Sequence, residues 1–459
     1  MARRTVLLGA LGALALLASP LPALHSQSQA QAIQQSDAEA LALSLFVRNP
    51  EQHKRALLKI RDRGSLDMVP ALIQALRFFG PNSPEIGHVL DNLTGESLGS
   101  DWHAWMRWQQ LHPEVEPFEG FDGFKADLMA RIDPNFRIFL DRGVAHEIRL
   151  EEITWGGVPK DGIPALVNPT HITPGEADYI TDDELVFGIE INGDARAYPL
   201  RVMDWHEMFN DVIGGVPLAL AYCTLCASGI LFETQLEPGS APLVFGSSGF
   251  LYRSNKLMYD QATHSLWNQF TGRPVVGPLT GSGIELKVRP VAITTWGKWL
   301  KRHPDTKVLS LDTGYQRDYQ PGRPYGDYFA SDRLMFPVAV TDDSHAPKEY
   351  VFALLDGDHE KAWPLSAFES EAVLNDRVGT LDVVLIGEPE SRTVRAYRAG
   401  GRDFAAAGDG SLTGGGKTWA IEEDALVAED GQRLERLPGH IAYWFAWSGY
   451  KPEAPVYTQ

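Results

Sequence analysis

The chain has 459 residues and a formal net charge of −19, from 41 basic and 60 acidic side chains. So acidic a balance argues against binding to nucleic acid or to anionic lipid. The length allows two or three domains with cores of their own. The sequence contains two cysteines, Cys223 and Cys226, so any cysteine chemistry is confined to one place.

Residues 1–32 have the pattern of a secretory signal peptide. Arg3 and Arg4 precede an apolar run from Val6 to Ala18, which is too short to span a bilayer, and small residues follow it. The paired arginines also resemble a twin-arginine signal, so the export route stays open. No later run is long enough for a membrane helix. We therefore expect an exported, periplasmic protein without a membrane span.

Helix start and stop signals recur through residues 33–112. Asn49-Pro50 opens one helix and Gly64 ends it, which is the expected asymmetry of caps. We expect five helices in antiparallel pairs, forming a small helical-repeat domain of the HEAT kind. Such a module typically contacts a partner, here a protein of the cell envelope. The expected helix starts lie at Ser36, Asn49, Ser65, Ser83 and Asp101.

Three tryptophans follow the last of these starts. Trp102, Trp105 and Trp108 are spaced along one predicted helix. We expect them to pack this helix onto the next domain, and a ligand cage is the alternative.

From Pro113 onward, glycine and proline become frequent and short β-rich runs alternate with turn residues. Leu185–Ile191 followed by Asn192-Gly193-Asp194 predicts a β-hairpin. Residues 113–180 form a lead-in segment. The fold class is therefore α+β: a small all-α domain precedes a mostly β C-terminal unit.

An internal duplication is visible in the β-rich region. Val186-Phe187 and Asn210-Asp211 recur 165 residues later as Val351-Phe352 and Asn375-Asp376. We predict two related β-rich halves, 181–310 and 346–459, joined by a connector over 311–345. Features shared by both halves indicate architecture, whereas features of the first half alone are better candidates for function.

The candidate ligands belong to the first half alone. The cysteines lie in a C-x-x-C after the apolar run Leu218–Tyr222, and the equivalent positions in the second half are Glu388 and Ser391. His206 likewise corresponds to Glu371. The second half is therefore expected to lack the site.

Three long motifs resemble a bacterial family called domain of unknown function 3179. They are NGDARAYPLRVMDWHEMFNDVIGGVPLALAYCTLC, GFLYRSNKLMYDQATHSLWNQFTG and TTWGKWLKRHPDTKVLS. The resemblance covers about residues 125–459 and implies no particular activity. The family usually has Cys-Pro-Leu-Cys, and Thr224 replaces that proline here. A ligand role is unaffected by this change, whereas a tuned oxidoreductase is somewhat disfavoured.

Two thiolates and an imidazole are soft to borderline ligands that suit copper, or alternatively zinc. We predict a metal site of Cys223, Cys226 and His206, with Met258 or His264 in a fourth position. A helical turn after the strand is expected to lower the thiol pKa values. Further pocket candidates are Trp205, Ser247, Ser248, Arg253, Asn255 and Asp260. Arg253 either binds an anion there, or these residues simply satisfy a tight turn.

Three functions follow from this site. The first is an exported metal-binding protein, with copper favoured over zinc, that either carries the metal or uses it in a redox reaction. The second is a thiol–disulfide oxidoreductase of the cell envelope, in which Cys223 is the attacking thiol. The third is a non-enzymatic envelope binding module with an inert Cys223–Cys226 disulfide. Whether the protein is an enzyme is left open by the sequence.

Overall fold

The structure is a computed structural model, and it describes residues 37–357, 359–408 and 410–458. The predicted signal peptide lies outside these residues. None of the helices within the described ranges has both the length and the apolar composition needed to cross a bilayer.

The N-terminal region is helical, as the caps predict. Asn49 accepts hydrogen bonds from the first turn of its helix, and Gly64 ends that helix in the left-handed conformation at φ 63°. Asp101 caps the tryptophan helix in the same way. The helices of the described chain are α1 (Asp37–Ser44), α2 (Pro50–Arg63), α3 (Val69–Phe79), α4 (Pro84–Thr94), α5 (Trp102–Leu111), α6 (Phe121–Ala130), α7 (Leu200–His206), α8 (Trp296–Arg302), α9 (Gly326–Phe329) and α10 (Trp444–Tyr450).

Two features of the helical region differ from the expectation. The third helix starts with a 3₁₀ turn, Leu66–Met68, before α3 begins at Val69. The sequence analysis also missed α6, which extends the helices to Ala130. A glycine at φ 91°, Gly120, precedes α6 in place of a side-chain cap, so the usual start signal is absent. The relationship to HEAT repeats stays a prediction.

The remainder of the chain is rich in strands. In the first part these are β1 (Ile153–Trp155), β2 (Leu166–Val167), β3 (His171–Ile172), β4 (Leu185–Ile191), β5 (Asp194–Pro199), β6 (Met208–Ile213), β7 (Val216–Cys223), β8 (Ser228–Glu233), β9 (Phe245–Tyr252), β10 (Asn255–Asp260), β11 (Leu266–Asn268), β12 (Arg273–Val276), β13 (Val288–Arg289), β14 (Ala292–Thr295) and β15 (Lys307–Leu309). In the second part they are β16 (Tyr350–Asp356), β17 (His359–Pro364), β18 (Val373–Val378), β19 (Leu381–Glu388), β20 (Thr393–Arg398), β21 (Phe404–Ala406), β22 (Leu412–Gly414), β23 (Lys417–Ile421), β24 (Ala425–Ala428), β25 (Arg433–Leu437) and β26 (His440–Tyr443). The α+β class is thus confirmed.

The strands form five sheets, whose orders are β1-β9-β10-β11-β12, β13-β8-β7-β6-β2, β14-β4-β5-β15-β3, β17-β16-β26 and β18-β19-β20-β25-β24-β23-β22-β21. The predicted hairpin at Asn192-Gly193 joins β4 to β5, and both turn residues have positive φ. This is the geometry that a two-residue hairpin loop requires.

The two predicted halves share element order and strand register. Val186 pairs with Pro199 across β4 and β5, and Val351 pairs with Pro364 across β16 and β17. The β7–β8 register and the β19–β20 register correspond in the same way, 165 residues apart. Common ancestry of the halves stays a hypothesis, which this correspondence supports.

Buried polar groups join the helices to the β-rich region. The Gln74 and Gln109 amides donate to the carbonyl of Glu151, at 3.0 and 3.2 Å. The Lys125 ammonium of α6 donates to Gln74 Oε1 at 2.8 Å and to the Ile153 carbonyl at 2.5 Å. Because Lys125 is fully buried, desolvation lowers its pKa to about 7, although the charge of Glu151 opposes the shift.

Lys125→Met should therefore change how stability depends on pH. Below about pH 7 the lysine is protonated in both states, so the cost of burying its charge is present in full. Between pH 7 and 10.5 the folded state releases the proton first, and the wild type should gain up to about 1.4 kcal/mol per pH unit over the variant. Urea unfolding from pH 7 to 9 measures this gain.

The exposed lysine of α2 supplies the control for that measurement. Lys59→Met removes the same charge without a buried group, so its stability difference from the wild type should stay constant over this range. A Lys125→Met difference that is equally independent of pH would contradict the buried-lysine account.

Candidate functional site

The C-x-x-C forms the connection between two adjacent strands. Cys223 ends β7 and pairs with Ser228, the first residue of β8. Between them, residues Thr224–Cys226 make one 3₁₀ turn, and Ala227 reverses the chain at φ 52°. This turn places the two sulfurs 2.7 Å apart as free thiols.

A second hairpin turn faces the sulfurs. Arg253 and Ser254 connect β9 to β10, and both have positive φ, at 47° and 66°. Glycine or asparagine is usual at such positions, so this turn is held against a backbone preference. The Ser254 carbonyl lies 3.3 Å from Cys226 Sγ and 3.9 Å from Cys223 Sγ. It is therefore placed to accept hydrogen bonds from the thiols.

A buried ion pair holds this turn in position. Arg253 Nε donates to the Glu152 carboxylate at 2.7 Å. The Glu152 side chain is fully buried, and Arg149 pairs with it from the other side at 2.8 Å. The predicted pocket residue Arg253 thus neutralises a buried carboxylate of its own chain.

A buried amide pair supports Cys226. Asn255 Nδ2 donates to Gln269 Oε1 at 2.7 Å and lies 3.6 Å from Cys226 Sγ. Gln269 in turn donates to the carbonyls of Ala221 and Ser228, on the two strands that flank the cysteines. Asn255 Oδ1 is buried without a hydrogen-bond partner in the described chain. An unsatisfied acceptor therefore lies beside the thiols.

A second ion pair lies next to the C-x-x-C turn. Glu207 is buried at the end of α7, and Lys256 Nζ donates to its carboxylate at 2.8 Å. The hydroxyls of Thr224 and Tyr325 donate to the other carboxylate oxygen, at 2.9 and 3.1 Å. Through Thr224, which lies between the cysteines, Glu207 is tied directly to the thiol turn.

The connector covers the thiols. Tyr328 of α9 donates its hydroxyl to the Leu225 carbonyl at 2.8 Å, and Lys348 Nζ lies 3.3 Å from the centre of its ring. Burial raises the pKa of Tyr328, and the electrostatic influence of Cys226 and Cys223 adds to the shift. Cys223 is 2% exposed and Cys226 is 0% exposed.

The expected lowering of the thiol pKa is wrong for Cys226. Burial raises the pKa of Cys226 well above its usual value, and the hydrogen bond and charge of Cys223 raise it further. The turn after β7 has only three residues, and the desolvation of a fully buried sulfur outweighs any effect of so short a turn. The Cys226 thiol is thus protonated at neutral pH.

His206 has both ring nitrogens occupied. Nδ1 lies 2.8 Å from the Pro164 carbonyl, and Nε2 lies 2.6 Å from the Tyr319 hydroxyl. Burial lowers the pKa of His206, so the ring is neutral; Nδ1–H then donates to the carbonyl, and Nε2 accepts from Tyr319. In the described ranges no three His, Cys, Asp or Glu side chains are grouped to hold a metal. Neither ring nitrogen of His206 forms a hydrogen bond with a cysteine sulfur.

The other predicted pocket residues have structural partners. Ser248 donates to the Leu257 carbonyl beside the β9–β10 bulge, and Ser247 pairs there with Met258, which is fully buried. Asp260 accepts from Thr263 and from the indole of Trp267. Trp205 donates to the Asp318 carbonyl of the connector, and His264 lies in the turn after β10. Of the residues that the sequence predicts for the site, Cys223, Cys226 and Asn255 lie next to one another in the structure.

The sequence did not lead us to place Glu207, Lys256 or Tyr328 beside the cysteines. A signal was available for Glu207, because its equivalent in the second half is Ala372, so the carboxylate belongs to the first half alone. Lys256 lies in β10, 49 positions after Glu207, so no local signal links the two. Nothing in the sequence indicates that Tyr328 reaches the cysteines, because the contact spans 103 residues.

Fold and site define a mixed α+β protein with a buried pair of cysteines. A family model described as "Protein of unknown function (DUF3179)" matches residues 160–454, and the chain belongs to this family. The resemblance of the three motifs is thereby confirmed. No curated protein and no solved structure gives a significant match to the chain.

Removing the cover should expose the thiols. Native Cys223 and Cys226 should react slowly with iodoacetamide at pH 8, because both are buried and the Cys226 pKa is raised. Tyr328→Ala should accelerate the reaction by at least about tenfold. Mass spectrometry of protein quenched at intervals gives the rates.

Tyr315→Ala is the matched control, since Tyr315 is 44% exposed on the same connector and lies beside His206. It should leave the rate unchanged. An equal rate for the wild type and Tyr328→Ala would show that Tyr328 does not shield the sulfurs.

Proposed function

We propose that this protein is a thiol–disulfide redox protein in which Cys223 and Cys226 form a reversible disulfide. The contact between the two sulfurs, 2.7 Å apart within one turn, is the observation that carries the proposal. A disulfide has a sulfur–sulfur distance of about 2.05 Å, so oxidation requires a movement of less than about 1 Å.

The electrostatics of the site support a reducing dithiol. Strongly oxidising centres stabilise their reduced form through a low thiol pKa. Here burial raises the pKa of Cys226 and leaves its thiolate unstabilised. The dithiol therefore lacks the thiolate stabilisation that makes such centres strongly oxidising. Export, as residues 1–32 predict, would place this centre in an oxidising compartment.

The two cysteines have different roles in the reaction. Because Cys223 is 2% exposed, the connector that carries Tyr328 must first move aside. The Cys223 thiolate then attacks one sulfur of a substrate disulfide, which breaks the sulfur–sulfur bond and releases the first substrate thiol. Cys226 then loses its proton and attacks Cys223, which releases the second thiol. Two electrons and two protons pass to the substrate, and the protein is left with its disulfide.

Glu207 is the carboxylate placed to take the Cys226 proton. The hydroxyl of Thr224, which lies between the two cysteines, donates to this carboxylate at 2.9 Å and ties it to the thiol turn. Lys256 holds the carboxylate in place at 2.8 Å. General-base assistance of this kind contributes about 10²-fold or more in rate.

Copper binding by the same thiols is the second candidate. The two sulfurs face the same Ser254 carbonyl oxygen, so they lie on one side of the thiol turn and could bind one ion together. Two thiolates suit copper, with zinc as the alternative. For His206 to join them, its ring would have to give up the hydrogen bond to Tyr319.

Exchange with oxidised glutathione tests the redox proposal. Reduced protein is mixed with the disulfide, quenched in acid at intervals and weighed by mass spectrometry. The wild type should pass through a transient mixed disulfide to the internal disulfide. Cys226→Ser should trap the mixed disulfide on Cys223, and Glu207→Gln should slow its resolution by at least about tenfold.

Glu237→Gln is the control, because Glu237 is an exposed carboxylate of the same half, and it should behave as the wild type. No mixed disulfide in Cys226→Ser would overturn the redox proposal. About one copper or zinc per wild-type chain purified without chelator, and none in the Cys223→Ser/Cys226→Ser variant, would favour the metal proposal instead.

A further inference from the structure

Arg77 lies at a small cavity far along the chain from the cysteines. It belongs to the last turn of α3, and the described residues offer it no hydrogen-bond or ion-pair partner. Its Nε is buried and unsatisfied. Other partly buried arginines of this acidic chain are paired, such as Arg142 with Glu39 and Arg253 with Glu152. Arg77 therefore departs from the pattern of the chain.

Aromatic rings surround the guanidinium in place of carboxylates. Its central carbon lies 4.8 Å from the ring centre of Trp102, 5.7 Å from that of Phe336 and 6.0 Å from that of Trp155. Such contacts are worth roughly 0.5–2 kcal/mol but satisfy none of the N–H donors. Burial also lowers the pKa of Arg77. A partly buried cation is thus held without an acceptor among the described residues.

The cavity has a volume of about 120 Å³. An engineered cavity of roughly 150 Å³ accepts benzene, so this one suits a group of about that size. Phe78, which is 37% exposed, stands at its edge. Its walls are Gln74, Arg77, Phe78, Trp102, Met129, Thr154 and Trp155, and none of these described residues is acidic.

Gln74, Thr154 and the indole of Trp155 are already engaged in hydrogen bonds. Gln74 accepts from Lys125 and donates to the Glu151 carbonyl, so its amide has little to offer a ligand. The carboxylate of Glu151, whose carbonyl accepts from Gln74, is paired with Arg149 at 2.7 Å. Arg77 is therefore the charged donor that the cavity presents.

We propose that this cavity binds a small carboxylate with an apolar body, in which Arg77 holds the carboxylate and the two tryptophans flank the apolar part. A guanidinium matches a carboxylate with two parallel hydrogen bonds. Trp102 comes from the helical region and Trp155 from β1, so the ligand would bridge the helical and β-rich parts of the structure. Neither the cysteine site nor its chemistry is involved.

Benzoate is the probe, observed by ligand-detected nuclear magnetic resonance on the whole protein. It should bind saturably, and neutral benzamide, which has nearly the same shape, should bind at least about tenfold more weakly, as the loss of one charge-assisted pair implies. Arg77→Met should weaken benzoate binding by a similar factor, and Arg77→Lys by less, because it keeps the charge but loses the planar fork.

Arg107→Met is the matched control, since Arg107 is exposed on the adjacent α5 and its removal changes the net charge equally. It should bind benzoate as the wild type does. Circular dichroism confirms that each variant is folded. Equal affinity for benzoate and benzamide, unchanged binding in Arg77→Met, or no saturable binding by the wild type would each overturn the proposal.

Discussion

The short connection between β7 and β8 determines the chemistry of the site. Cys223 and Ser228 are paired, so four residues must reverse the chain between them. One 3₁₀ turn and a left-handed Ala227 accomplish the reversal, and side chains three positions apart then meet on one side of the turn. Everything else at the site, from the Ser254 carbonyl to the cover by Tyr328, is arranged around the sulfur contact that results.

The second half has the same turn geometry but no cysteines in it. Its equivalent turn uses Arg392 at φ 53°, and Ser391 donates to the Glu388 carboxylate at the positions of the two cysteines. The fold therefore brings these side chains into contact in both halves. Sulfur atoms, the Glu207 carboxylate and the β9–β10 hairpin occur together in the first half, and that combination supports a redox function.

Local signals in the sequence predicted local structure well. Caps such as Asn49 and turn pairs such as Asn192-Gly193 act through their own backbone neighbours, and their helices and hairpin are confirmed. These local signals did not predict α6, because this helix begins after Gly120 without a side-chain cap. Cys223 and Cys226 were found because they are adjacent and chemically distinctive.

These local signals did not predict contacts between residues far apart in the chain. The Tyr319 partner of His206 lies 113 positions away, and Tyr328 lies 103 positions from the Leu225 carbonyl that it contacts. A helical turn was expected to lower the thiol pKa, but complete burial of Cys226 reverses the sign. Arg253 was expected to face a ligand, yet its partner is Glu152, 101 positions earlier in the chain. Burial and tertiary pairing thus determined what the residue types alone left open.

A redox titration tests the central claim most directly. The protein is equilibrated anaerobically with mixtures of reduced and oxidised dithiothreitol, its free thiols are alkylated after unfolding in acid, and the alkylated fraction is read by mass. We predict a two-electron transition between dithiol and disulfide, with a midpoint potential below about −200 mV. Thiols that stay reduced in every mixture, or a disulfide that none of them reduces, would contradict a reversible redox centre at Cys223 and Cys226.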